Sequence, residues 1–382
     1  MNTVTLLQTP HLVIGSGCRA QCRAYLLEHN LRRCYVLAPA CNLAHAHAML
    51  EGFDAVEVDT SLTAEPTVND FKTILERAQR FQPDVVIGLG GGSALDIAKL
   101  VAVLLDGAQQ IESIFGIGLI QHRTTHLVCL PTTSGTGSEV SPNAILLDES
   151  DQLKKGVVSP HLVPDAAFVD AELTLSVPPA VTAATGLDAL THCIEAYTNR
   201  FAHPVVDVWA LEGVRLIASA LEEAVKNPSS VAEREKLALG SLYGGLCLGP
   251  VNTAAVHALS YPLGGVHHIP HGHANAILLP HVMRFNLQAA PDRFAAVALA
   301  LGAVSAESSA ATAEAGIAQL WKLIDATGLE MRLGALGVDP SEAAQLAAAG
   351  LSVTRLMKNN PRSMTQQEAE QIYHAAFAGH TR

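Results

Sequence analysis

Residues 84–100 read DVVIGLGGGSALDIAKL. An apolar, β-branched run ends in Gly88-Leu89-Gly90-Gly91-Gly92-Ser93, and a helix-like stretch carrying Asp96 and Lys99 follows. A strand, a glycine turn and a helix in that order form the phosphate-gripping corner of a dinucleotide-binding sheet. Glycines let the backbone approach a pyrophosphate, and the helix N-terminus favours its negative charge. A strict G-x-G-x-x-G would need glycine where Ser93 stands. No Gly-Lys-Ser/Thr follows, which excludes a Walker-type loop. The bland alternative is a tight strand–helix turn with no ligand.

The flanking sequence repeats the pattern. Runs at 34–38 (CYVLA), 55–58 (AVEV), 126–130 (HLVCL) and 166–170 (AAFVD) read as strands, with helical stretches at 43–51, 68–80 and 94–105. Residues 143–148 add a candidate hairpin strand. Alternation of this kind predicts a mostly parallel sheet covered by helices. After Pro178-Pro179 the chain becomes rich in Ala, Leu, Glu and Gln. Helices are expected near 181–199, 204–226, 231–248, 252–261, 273–285, 291–302, 307–327, 340–349 and 365–378. Thr365-x-x-Glu368 supplies a capping box for the last. The expectation is therefore α/β plus all-α: a Rossmann-like dinucleotide-binding domain over 1–179 and a helical metal-binding domain over 180–382.

Composition narrows the function classes. The chain has 382 residues, 49% hydrophobic and 16% charged, enough apolar material for large cores. Twenty-four Lys and Arg stand against 36 Asp and Glu, a net charge of −12, the wrong sign for a nucleic-acid binder. The start has no charged segment followed by a long apolar run, and seven cysteines without paired C-x-x-C motifs read as reduced thiols. A cytoplasmic protein is expected. Residues 237–283 contain no Asp, Glu, Lys or Arg. Pro250, Pro262, Pro270, Pro280 and six histidines argue against a membrane span there and for the interior of the molecule.

Three further constellations carry chemistry. Residues 131–141 (PTTSGTGSEVS) follow a strand and offer small hydroxyls, the lining of a cofactor cleft or simply a surface loop. Asp188 and His192 stand four apart on one helix face, a divalent-metal pair or a plain Asp–His hydrogen bond. Residues 257–275 (HALSYPLGGVHHIPHGHAN) cluster imidazoles without acids, and a metal shared with Asp188 and His192 would partner them. Spacing leaves open which of them bind.

Taken together, 90–99 (GGGSALDIAK), 131–141, 186–197 (GLDALTHCIEAY), 257–281 and Asn360-Pro361-Arg362 resemble the iron-dependent (group III) alcohol dehydrogenase family, in order and over nearly its whole length. The resemblance implies an α/β nucleotide domain, a helical domain and an active site in the cleft between. It implies a divalent metal, Fe(2+) with Zn(2+) as the other candidate, on Asp188, His192, His257 and His271. It implies NAD(H) or NADP(H), with Gly90, Gly91, Gly92, Ser93 and Asp96 at the nucleotide loop. Thr132, Thr133 and Ser141 would line the nicotinamide side, and Lys155 would meet a ribose. A small alcohol or carbonyl substrate and a homodimer complete the picture, with neither nucleic acid nor membrane as partner.

Two departures stand out. Pro39 occupies the place of an Asp that favours NAD in many members, which leaves room for a 2′-phosphate. Tyr261 replaces a histidine close to the nicotinamide. The proton relay is therefore assigned to Tyr261 or to His267, four residues before His271. Tyr261 also motivates one alternative, a hydroxyacid–oxoacid transhydrogenase; a maleylacetate-reductase-like activity is the other, from relatives less similar around Asp188 and His192. A non-redox metal enzyme is a third reading, opposed by the Asp188–His192 pattern.

Overall fold

The computed structural model describes residues 3–62, 65–150 and 153–380. The chain divides into two compact units, one of Leu6–Thr133 and Gly137–Ser176, the other of Met1–Thr5, Ser134–Thr136 and Val177–Arg382.

The first unit holds a six-stranded, wholly parallel sheet and a three-stranded one. The strands are β1 (His11–Ile14), β2 (Arg33–Leu37), β3 (Ala55–Asp59), β4 (Val85–Gly90), β5 (Gly116–Ile117), β6 (His126–Pro131), β7 (Asn143–Asp148), β8 (Leu153–Val158) and β9 (Ala166–Val169). The main sheet runs β1-β9-β6-β4-β2-β3. Order reverses between β2 and β4, and the crevice beyond the carboxyl ends of strands at such a switch point is where open α/β sheets bind ligands. Every residue of β4 is buried, so this strand reads as an unbroken apolar run rather than an alternating one. Its helices are α1 (Ala20–Glu28), α2 (Leu43–Met49), α3 (Val68–Phe81) and α4 (Gly92–Leu104). The hairpin strand expected at 143–148 is present, paired antiparallel with β8. Strand β1 and helix α1 had no sequence signal strong enough to be read; β1 is only four residues long and helix α1 is weakly amphipathic.

The second unit is helical: α5 (Pro179–Thr198), α6 (Pro204–Lys226), α7 (Val231–Leu248), α8 (Ala255–His267), α9 (His271–Asn286), α10 (Pro291–Ala300), α11 (Ser309–Thr327), α12 (Ala343–Ser352), α13 (Thr354–Met357) and α14 (Gln366–Ala378). Its core draws on α5, α6, α8, α9 and α11, including Leu190, Ile217, Leu259, Ile277 and Leu320, all fully buried. The expected break at Pro262 does not occur. Helix α8 runs through it to His267 and starts at Ala255 rather than 252. Proline removes one hydrogen bond there, and burial of Leu259 and Leu263 holds the helix across the gap. All seven cysteines are free, and among the described residues no helix is long and apolar enough to cross a membrane.

Candidate metal centre and nucleotide loop

Helix α5 presents Asp188, His192 and Glu195 on one face, because positions i, i+4 and i+7 align along an α-helix. Helix α8 brings His257, and His271 is the first residue of α9, after Pro270. Pro270 is extended, its φ fixed by the ring, and this sets where His271 enters. The helices approach closely: a Cβ on Gly272 would lie 2.4 Å from the Ala184 carbonyl oxygen and 3.1 Å from the Cβ of Asp188. Only glycine permits α9 to seat its first turn on α5 at that distance.

Four candidate ligands converge as a result. Ligand-type atoms of Asp188, His192 and His257 all lie within 4.8 Å of one another. The Asp188 Oδ1 atom is 3.6 Å from His257 Nε2 and 3.7 Å from His271 Nε2. The His192 and His257 rings stack at 4.6 Å, and those of His257 and His271 are 5.3 Å apart. Asp188, His192 and His257 are buried, whereas the His271 side chain is 27% exposed. The open edge of the cluster is the His271 edge.

The outer contacts orient these rings. His192 Nδ1 donates to the Gly135 carbonyl at 3.3 Å, which turns its Nε2 lone pair inward. His257 Nδ1 lies 2.6 Å from Glu195 Oε2. Glu195 also accepts the Ala254 and Val256 amides at 3.0 and 2.6 Å, so one buried carboxylate both holds a ring and caps α8. A carboxylate behind a histidine is the usual support of a metal-ligating imidazole. Sequence reasoning missed Glu195; its signal was the helical spacing from Asp188 and His192. It also missed Asn275. That amide nitrogen sits 2.7 Å from Asp188 Oδ1, 3.1 Å from His257 Nε2 and 3.3 Å from His271 Nε2, while its buried oxygen has no partner among the described residues. Three ligand-type atoms therefore point at one electropositive group, as they would at a cation.

Electrostatics fit the same reading. Burial would raise the Asp188 pKa, yet the surrounding imidazoles of His192, His271 and His257 hold it well below the usual range, keeping the carboxylate charged. Burial pushes His192 down to about 4, favouring its neutral form. Burial also opposes charge on His257, but the neighbouring Asp188 and Glu195 carboxylates outweigh it and raise it to about 9, so a metal at its Nε2 would have to displace a proton. Three imidazole nitrogens and one carboxylate oxygen suit Fe(II) or Zn(II) and leave coordination positions for a substrate.

In the α/β unit, Gly90 ends β4, Gly91 caps α4, and Gly92 and Ser93 begin it. Strand β6 runs beside β4 with Pro131 opposite Gly90, and the Thr132 amide donates to the Gly90 carbonyl at 2.9 Å. The two loops therefore leave neighbouring strands side by side. A Cβ on Gly90 would meet Ala94 at 2.6 Å and Pro39 at 3.0 Å, so the second residue past β2 packs on the same turn. A Cβ on Gly91 would lie 3.3 Å from Thr133 Oγ1. Asn42 donates to Thr132 Oγ1 at 3.2 Å. Asp96 accepts from Ser138 Oγ at 2.5 Å and from the Ile145 amide at 2.9 Å, so its carboxylate braces the 137–145 segment. Ser141 is buried, with its Oγ 3.3 Å from Lys99 Nζ. Lys155 pairs with Asp148 at 2.6 Å on the small sheet. Tyr261 lies beside the metal cluster, its ring 6.1 Å from that of His271. His267 is instead held by Glu342, Nε2 to Oε2 at 3.1 Å.

Comparison with known proteins agrees over most of the chain. The family model described as "Iron-containing alcohol dehydrogenase" matches residues 9–171, and "Fe-containing alcohol dehydrogenase family, C-terminal" matches 182–377. The chain is 40% identical over 333 residues to long-chain-alcohol dehydrogenase 1 of Geobacillus thermodenitrificans, covering 86% of this chain and 84% of that protein. A crystal structure of a 1,3-propanediol oxidoreductase superposes with a TM-score of 0.93 at 30% identity, covering 98% of this chain and all of that one. Sulfoacetaldehyde reductase from Bifidobacterium kashiwanohense, solved with NAD+, superposes with a TM-score of 0.89 at 27% identity, over 99% of this chain and 100% of that one.

Proposed function

Because the chain belongs to the iron-containing alcohol dehydrogenase family, we infer that it interconverts a small alcohol and its carbonyl compound, with Asp188, His192, His257 and His271 holding the metal. It is a metal-dependent, NAD-linked oxidoreductase. The observation that carries the residue assignment is the convergence of three imidazoles and a carboxylate from three helices, two of the rings held from behind by Glu195 and Gly135. Asp188, His192, His257 and His271 would hold Fe(II), or Zn(II) on the same donors, which would supply Lewis acidity to the substrate oxygen.

The protein's part is orientation. Glu195 keeps the Nε2 of His257 facing inward, and the buried walls around Asp188, His192 and His257 exclude water. The amides at Gly90–Ser93 and the start of α4 receive the pyrophosphate. Thr132, Thr133 and Ser141 flank the nicotinamide, and Lys155 reaches a ribose. Pro39 supports use of both NADH and NADPH. Proton transfer runs through Tyr261, whose position next to His271 favours it over the Glu342-bound His267. The enzyme acts in the cytoplasm as a homodimer, and a sedimentation mass of two chains checks the latter.

The test is nicotinamide absorbance with the Fe(II)-loaded protein and a panel of aldehydes. Oxidation of NADH or NADPH by at least one aldehyde, at a rate abolished by chelator, is expected. A silent panel with metal-loaded, folded protein rejects the reading.

A further inference from the structure

The exposed edge of the metal cluster has a feature that metal binding and hydride transfer do not require. Beyond His271 lies the Tyr261 ring, and the Tyr261 hydroxyl accepts a hydrogen bond from Arg355 Nη2 at 3.4 Å. Arg293, Arg332 and Arg362, in the same helical unit, each pair with a carboxylate. Arg355 is half-buried, and among the described residues it has no carboxylate partner. A partly shielded guanidinium with no carboxylate beside it keeps donors to spare, and its planar fork matches a carboxylate in two parallel hydrogen bonds.

Its position is also fixed. Gly350 of α12 sits against α8 so closely that a Cβ would lie 3.0 Å from Leu259 Cα. Beyond α13, Asn359 Nδ2 donates to the Thr253 carbonyl at 2.8 Å, just before α8 begins. The four-residue helix bearing Arg355 is thus fastened on both sides to the neighbourhood of α8, which carries both His257 and Tyr261.

We propose that Arg355, set against Tyr261, is an oxyanion subsite at the open edge of the metal cluster, and that the substrate is a short alcohol or aldehyde with a carboxylate at the end remote from the reacting oxygen. The inference rests on the dehydrogenase reading for its reaction but not for its binding. Arg355 takes the carboxylate, and Tyr261 stands between that anchor and the reacting end.

The experiment compares 4-oxobutanoate with butanal, a matched pair, as substrates for wild type, Arg355→Met and Arg355→Lys. Succinate binding to the holoenzyme is measured by calorimetry alongside. Wild type should favour 4-oxobutanoate at least tenfold in kcat/KM. Arg355→Met should lose at least tenfold more on 4-oxobutanoate than on butanal, through KM, and Arg355→Lys should keep part of the preference. Wild type should bind succinate, and Arg355→Met should not. Equal use of the two aldehydes, or equal losses in the Met variant, overturns the proposal. If neither aldehyde is reduced, the dehydrogenase reading fails for this pair and the calorimetry decides: Arg355-dependent succinate binding upholds the subsite, and its absence in wild type rejects it.

Discussion

Glu195 shows how much one buried carboxylate can do. It fixes His257 and caps α8 at once. Glu195→Gln keeps the shape but loses the charge behind the ring, and should weaken Fe(II) or Zn(II) binding by about 10–100-fold. Competition against a metallochromic chelator measures this; an unchanged affinity would make Glu195 merely a cap. Glu139 offers a test in the other unit. Burial raises its pKa to about 7, against a smaller opposing effect of Lys99. The folded state therefore holds this proton more tightly than the unfolded chain, whose carboxyl titrates near 4.3. Stability from this group is fully present below that unfolded value and is lost as pH rises through about 7. Glu139→Gln removes the loss, so the variant should gain on wild type between pH 5 and 8, by up to about 3 kcal/mol. Parallel melting profiles across that range would contradict it. At this scale the sequence was legible where spacing is local, as for Asp188 and His192. Glu195, Asn275 and Arg355 were not, because what distinguishes them is proximity to residues 18 to 94 positions away.

Among elements, the contact of α5 with α9 controls the site. Gly272→Ala would press a methyl onto the Ala184 carbonyl, a backbone atom that cannot swing aside. The first turn of α9 must then lift, and His271 with it. The expected cost is about 1–3 kcal/mol of stability together with weakened metal binding. Gly334→Ala is the control, since nothing lies within 4 Å of its Cβ, and it should keep both metal and melting temperature. Full metal affinity in the Gly272 variant would show that α9 is not pinned there. The parallel sheet and most helices could be read from period and punctuation. The end of helix α8 could not, because proline normally ends a helix and the continuation past Pro262 depends on tertiary burial. Strand β1 escaped because four half-exposed residues carry no periodic signal; pairing with β9 makes it a strand.

For the whole molecule, the proposed function draws on the glycine loop at Gly90–Ser93 in one unit and on the Asp188, His192, His257 and His271 cluster in the other. Pro39 packs beside Gly90 and itself carries no carboxylate to repel a 2′-phosphate. The preference for NADH over NADPH should stay below about a thousandfold, roughly 4 kcal/mol, and Pro39→Asp should increase it. A steeper preference in wild type, read from the two kcat/KM values, would reject the argument. The family architecture and the general site were legible because motifs spread from residue 90 to 362 keep one order. The ligand cluster itself required four side chains from three helices to be placed together.

On the reading proposed for Asp188, His192, His257 and His271, this cluster holds one catalytic metal ion. Protein stripped with a chelator should be titrated with Fe(II), anaerobically, while NADH-dependent aldehyde reduction is followed. Activity should rise linearly and level off at one equivalent per chain, with His271→Ala gaining neither metal nor activity. Full activity in the stripped protein, or stoichiometric metal in His271→Ala, would contradict the account.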